Sequence, residues 1–181
     1  MPAGELIRRY VEVARPIILD DFAPNCCIAA TAITLGVFRS LGIRAEPFSC
    51  RVVIFNRAFI DRSERAGRVP QTPAEVREWT GDGLSWSLGV GWPAPHLTGW
   101  PGHLVALVED ALIDASIEQA NRPAKGIVLP PVLAAKAPSM NRAKIAPGGT
   151  LRTGYPQDGA AVPVAVYSRK SEWFHVKHVK V

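Results

Sequence analysis

The sequence predicts an α+β fold, with helices gathered toward its start and an antiparallel sheet toward its end. Three observations carry this. A largely apolar run follows Asn25, continues to Leu41 and stops at Gly42, with helix signals at both ends. Two short apolar runs, 103–108 and 111–116, are separated only by Glu109 and Asp110, the spacing of a tight hairpin. β-Branched and aromatic residues then concentrate in 48–55, 160–167 and 172–179, as strands require. With 181 residues, 48% hydrophobic and 20% charged, the chain has enough apolar material for one globular domain, which excludes general disorder.

In chain order, the segment 4–14 places Leu6, Tyr10 and Val13 near one side and Arg8, Arg9 and Glu12 elsewhere, an amphipathic helix that Pro16 should end. Asp20, Asp21 and Pro24 mark a turn, and Asn25 stands at an N-cap position. In the helix that follows, Ile28, Ala29, Ala32, Ile33, Leu35, Val37, Phe38 and Leu41 surround the axis, so most of its circumference is expected in the core. The run 48–55 reads as a strand and 57–68 as a charged, irregular stretch. Thr72, Pro73 and Glu75 form a capping box with proline at the first helical position, predicting a short helix through Trp79.

The segment 81–102 holds Trp86, Trp92 and Trp100 among five glycines and two prolines, and reads as a loop whose rings wall a cleft. After the hairpin, 121–154 is rich in Pro, Ala and Gly and reads as a long connection with one short helix near Val132. The segments 160–167 and 172–179 read as the last two strands. There is no internal repeat.

Composition narrows the function classes. The longest apolar stretch, 28–38, is interrupted by Thr31, Thr34 and Gly36 and falls short of the roughly 18–20 residues of a membrane span. Glu5, Arg8, Arg9 and Glu12 break up the start of the chain where a secretory signal would be apolar, so a cytoplasmic protein without membrane attachment is expected. Cys26, Cys27 and Cys50 are too few and too irregular for a zinc site or a disulfide framework, and the odd number leaves at least one thiol free. No metal or organic cofactor is expected. The net charge of +5 is spread without a dense basic stripe, which argues against nucleic acid as a partner.

A thiol becomes a useful nucleophile when its ionisation is eased, as the first turn of a helix does through its unpaired N–H groups and dipole. Cys26 and Cys27 fall in that turn. An imidazole must be within reach, and a third group must orient it. A two-residue turn at Glu109 and Asp110 would set Val108 across from Ala111 and Val105 across from Asp114. His103 then shares a face with Asp114, on the diagonal, at roughly 7–8 Å between backbones. Ser116, directly opposite His103, is the alternative neighbour.

The run CIAATAITLGVFRSLGIRAEPFSCRVVIF resembles the nucleophile helix of transglutaminase-like, papain-type cysteine enzymes, in which a cysteine opens a helix that ends in an L-G-I-x-A pattern and leads into a strand. Cys27 stands at the matching distance before Leu41, Gly42, Ile43 and Ala45, and Cys26 is one residue off. GHLVALVEDALIDASIEQA resembles the histidine and aspartate strands of the same family. The resemblance covers 20–56 and 99–120. It implies a papain-like, transglutaminase-like core in a single domain over 1–181, with a buried nucleophile helix packed on an antiparallel sheet.

It also implies Cys27, His103 and Asp114 as a catalytic triad, and a cysteine hydrolase or acyltransferase working through a thioester on a peptide or protein amide. Asn25 is the local candidate for an oxyanion donor beside the Cys27 N–H. Gln119 follows the acid strand in a position where similar sequences often carry a glutamine, and is a candidate for helping to shape the site. Trp92 and Trp100 are candidates for substrate contact. The sequence departs from the family in having Asn25 and Cys26 where a glycine commonly precedes the nucleophile, and Leu104 where an aromatic commonly follows the histidine. It lacks the Arg-Gly-Gly that arylamine N-acetyltransferases place before the cysteine.

Taken singly, each of these residues has a plainer role. A cysteine in a helix is usually a small buried hydrophobe, a lone histidine is usually structural, and tryptophans are more often core or loop anchors. Cys50 reads as core. His96 reads as a loop residue and His175 and His178 as solvated. The alternative function is a catalytically inactive scaffold of the same kind that binds a peptide or protein in its cleft, for which Cys27 would be unreactive.

Overall fold

The computed structural model describes residues 2–21, 26–68, 70, 72–91, 102–136, 150–154 and 164–169. Its organising element is the strand Ala45–Phe55 (β1), in which Phe48, Cys50, Val52 and Ile54 alternate inward, as the density of β-branched and aromatic residues requires. One edge of β1 is shared by two strands. Ser87–Val90 (β2) pairs with residues 52–55, and His103–Val108 (β3) pairs with residues 45–50. Beyond β3 lie Ala111–Asp114 (β4) and Leu133–Lys136 (β5). On the other side of β1 stand Val164–Arg169 (β7) and then Thr150–Gly154 (β6), and every pairing is antiparallel.

The alternation of β3 divides the core. Val105 and Leu107 join Phe48, Cys50, Val52, Ile54, Leu112 and Tyr167 in one apolar cluster, while Ala106 and Val108 join Ala30, Leu35, Phe38 and Ile113 in another. The second cluster is the seat of the helix Cys27–Ser40 (α2), which packs on β3 and β1. Over α2 lies Ala3–Asp21 (α1), held by Tyr10, whose ring is 5.2 Å from that of Phe38 and whose hydroxyl shares a 2.7 Å hydrogen bond with Thr34. Arg57–Ala66 (α3) and Pro73–Thr80 (α4) follow β1 and meet through Phe59 and Trp79.

The α+β class and the tight hairpin agree with the sequence reading: Val108 faces Ala111 and Ala106 faces Ile113. The capping box of α4 forms as expected, with Thr72 accepting from the Glu75 N–H and Glu75 accepting from the Thr72 N–H.

Other expectations are corrected. Pro16 does not end α1: the helix runs through it to Asp21, with the proline lacking one backbone donor. The N-cap of α2 is Cys26, not Asn25, so only Cys27 sits in the first turn; Asn25 lies outside the described residues. Nor is α2 buried around most of its circumference. Ala30, Thr31, Thr34, Leu35 and Phe38 face the sheet or α1, but Ile33, Val37 and Leu41 stay 39–54% exposed because α1 covers only part of the outer face.

The stretch expected to be irregular, 57–68, holds the helix α3. Asn56 caps its start and Gly67, at φ 64°, closes its end in the left-handed region. The loop after α4 contains β2, and the helix expected near Val132 is replaced by β5, which extends the sheet by pairing with β4. The hairpin's second strand stops at Asp114, and Ile117–Ala120 and Pro123–Lys125 form short 3₁₀ turns. Of the last two expected strands, the first is realised as β7; residues 160–163 and 172–179 lie outside the described residues.

Candidate active site

α2 points its first turn at the start of β3. Thr31 Oγ1 donates to the Leu104 carbonyl at 2.8 Å, and the Cys27 thiol interacts with the backbone of Leu104, so the helix start is tied to the strand beside the first residue, His103. Cys27 is half-buried, and Cys26 is the half-buried cap before it. Cys50 is fully buried on the neighbouring strand, paired in register with His103, and its thiol lies 3.5 Å from the His103 carbonyl.

His103 Nε2–H donates to Asp114 Oδ2 at 2.6 Å, and both side chains are sealed from solvent at 1% and 0% exposure. A buried imidazole ordinarily loses its proton. Here burial is outweighed by the charge and hydrogen bond of Asp114, then by the interaction with Cys27, and His103 is pushed up to about 10. Burial likewise opposes ionisation of Cys27, but interaction with His103 and with the Leu104 backbone leaves the thiol lowered. Nε2 is committed to Asp114, whereas Nδ1 is buried without a hydrogen-bond partner and is the ring atom not already engaged. The three cysteines differ accordingly. Burial raises Cys26, and burial raises Cys50 well above the ordinary thiol value.

Asp114 is fixed by more than the imidazole. Its Oδ1 accepts from the Ser116 N–H at 3.1 Å and from the Ser116 hydroxyl at 3.3 Å, and its Oδ2 accepts from the Tyr167 hydroxyl at 3.0 Å. Ser116 therefore bonds the acid in the structure, where the sequence offered it as a neighbour of His103. Tyr167 was not singled out, because nothing in its local sequence marks a strand tyrosine that reaches a carboxylate 53 residues away.

Comparisons with protein-family models, curated proteins and solved structures find no match.

Gly91 was read only as one of several loop glycines. It ends β2 at φ 78°, and a Cβ there would lie 2.8 Å from the His103 backbone nitrogen and 3.1 Å from the Cys50 carbonyl. It lets the chain leave one half of the β1 edge beside the strand that re-enters on the other half. Gln119 lies in the 3₁₀ turn after Ser116, whose carbonyl accepts its backbone N–H at 3.3 Å. Trp92, Trp100 and His96, like Asn25, lie outside the described residues.

Among the described residues, no three His, Cys, Asp or Glu side chains gather as a metal-ligand set. An apolar groove of about 570 Å³ runs between α1 and α2, lined by Tyr10, Val13, Ile33, Val37 and Leu41 among others, but none of the candidate site residues lines it. No helix among the described residues is long and apolar enough to cross a membrane.

Proposed function

We propose that the protein is a cysteine-dependent hydrolase or acyltransferase with a papain-like, transglutaminase-like core, acting on a peptide or protein amide through Cys27, His103 and Asp114. The observation that carries this reading is the sealed 2.6 Å His103–Asp114 bond next to a thiol that the same imidazole lowers. A structural cysteine in a core has no such partner, and Cys50 shows the contrast: burial, and then the charges of Asp114 and Cys27, raise it.

The chemistry follows from the groups. His103 Nδ1 holds the proton taken from Cys27, and the sulfur attacks the carbonyl carbon while the carbonyl π pair moves to oxygen. The N–H of Cys27, at the first helical position, donates to that oxyanion. Collapse breaks the C–N bond, and the imidazolium returns its proton to the leaving amine, which leaves a thioester. Water, deprotonated by His103, then yields the acid, or an amine yields a new amide. Asp114 keeps its charge throughout and stabilises the imidazolium.

The test is acylation of the full chain by p-nitrophenyl acetate, followed by peptide mass mapping. A single acetyl group on Cys27, released by hydroxylamine and missing in His103→Gln, supports the reading. Acetylation no faster at Cys27 than at Cys26, and unchanged in His103→Gln, overturns it in favour of a scaffold that only binds.

A further inference from the structure

We infer that Tyr167 is a positioning residue of this site: its hydroxyl holds the same Asp114 oxygen that holds His103, and so sets how tightly the carboxylate grips the imidazole. The inference rests on the catalytic reading above and extends it to a strand that reading does not use. Asp114 is fully buried and receives four donated hydrogens, two on each oxygen. On Oδ1 both come from Ser116, two residues away, which fixes the carboxyl plane locally. On Oδ2 the donors come from two other strands, His103 on β3 at 2.6 Å and Tyr167 on β7 at 3.0 Å.

Strands β4, β3, β1 and β7 are successive neighbours, so this bond spans the two central strands and ties the β6–β7 pair to the site. Tyr167 itself has no exposed surface and packs in the cluster with Cys50, Val52 and Val105. Packing alone would be satisfied by phenylalanine. The hydroxyl adds a proton on the oxygen that stabilises the imidazolium, and each donor on a carboxylate oxygen withdraws negative charge from its other partner. Removing that donor leaves the Oδ2 charge to His103 alone, which then keeps its proton to higher pH.

Among the described residues, the titratable groups facing the pair are Cys27 at the start of α2 and its cap Cys26, Cys50 from β1 and Tyr167 from β7. Burial, and then the charges of Asp114 and Cys27, raise Cys50 well above the ordinary thiol value.

The experiment follows the His103 ring nitrogens by NMR across pH 6 to 11 in the ¹⁵N-labelled full chain, assigned with His103→Gln. Three proteins are compared: wild type, Tyr167→Phe, and a variant with 4-aminophenylalanine at position 167, which keeps the size and a weaker donor. The expected order of imidazolium titration is wild type lowest, the amino variant between, and Tyr167→Phe highest, raised by about half a pH unit or more, roughly threefold in proton affinity.

Superimposable curves over a raised wild-type titration would assign Tyr167 to packing and overturn the inference while leaving the catalytic reading intact. A wild-type His103 titrating at the ordinary imidazole value would overturn both. Should Tyr167→Phe fail to fold, the near-isosteric amino variant decides alone: a titration above wild type supports the inference, and one equal to wild type refutes it.

Discussion

A carboxylate with no exposed surface is costly to keep charged unless every lone pair is engaged, and Asp114 meets that condition with Ser116, Tyr167 and His103. The charge it holds lets a buried imidazole stay protonated, and the imidazole in turn lowers the Cys27 thiol. Asp114→Asn keeps the size but removes the charge. Acetylation of Cys27 by p-nitrophenyl acetate in this variant is expected to fall by about 10²–10⁴-fold, the usual worth of a positioned acid–base pair. An unchanged rate would mean that the acid only fills space.

At this scale the sequence was partly legible. The two-residue turn sets which face of the hairpin carries His103 and Asp114, and the resemblance to transglutaminase-like enzymes, through the distance to Leu41 and Gly42, favours Cys27 over Cys26. The structure separates the two cysteines as first helical residue and cap. Tyr167 was illegible because its role depends on a pairing order that brings β7 beside β1, and no local pattern encodes that order.

Among the described elements, the junction of β2 and β3 along one edge of β1 sets a tight steric requirement. Gly91 and Gly83 have nearly the same left-handed φ, 78° and 72°, but only at Gly91 would a Cβ meet backbone atoms. Alanine at Gly83 should cost about 1–2 kcal/mol from the backbone conformation alone. Gly91→Ala should cost measurably more in urea unfolding, because it also pushes on the His103 nitrogen and the Cys50 carbonyl. Equal losses would show that the junction has room to yield.

The helix α3 was missed for a related reason. Its charge pattern is irregular, yet Asn56 accepts from the Phe59 and Trp86 N–H groups and donates to the Leu84 and Lys125 carbonyls, so a single side chain starts the helix and binds two other segments to it. A capping box announces itself in sequence, as Thr72 and Glu75 did. A cap whose other partners lie 28 to 69 residues away does not.

For the whole molecule, the buried pair couples folding to pH. The unfolded imidazole titrates near 6.5 and the folded one at about 10, so its contribution to stability is fully present below 6.5 and is lost as pH rises toward 10. Cys27 acts in the opposite sense. Its folded value is lowered from 9.0, so it adds stability as pH rises toward 9.0 and partly masks the trend. Cys27→Ala removes the mask. Denaturant unfolding of that variant should show stability falling from pH 6.5 upward, by no more than about 1.4 kcal/mol per pH unit from this group. A profile flat over this range would mean that the folded chain carries a neutral imidazole. The α+β class was legible from the order of helical and strand periods, whereas the half-open face of α2 was not, since periodicity shows which residues are apolar but not which of them find a covering layer.

Whether Cys27 and His103 form a thiolate–imidazolium pair is read from the rate of thiol alkylation by iodoacetamide from pH 5 to 9, mapped by mass spectrometry in wild type and His103→Ala. Such a pair gives rapid labelling of Cys27 already at the acid end, slow labelling of Cys26, negligible labelling of buried Cys50, and loss of the acid-end reactivity in His103→Ala. Labelling of Cys27 that rises only toward the ordinary thiol range, with the same profile in the variant, would contradict the pairing.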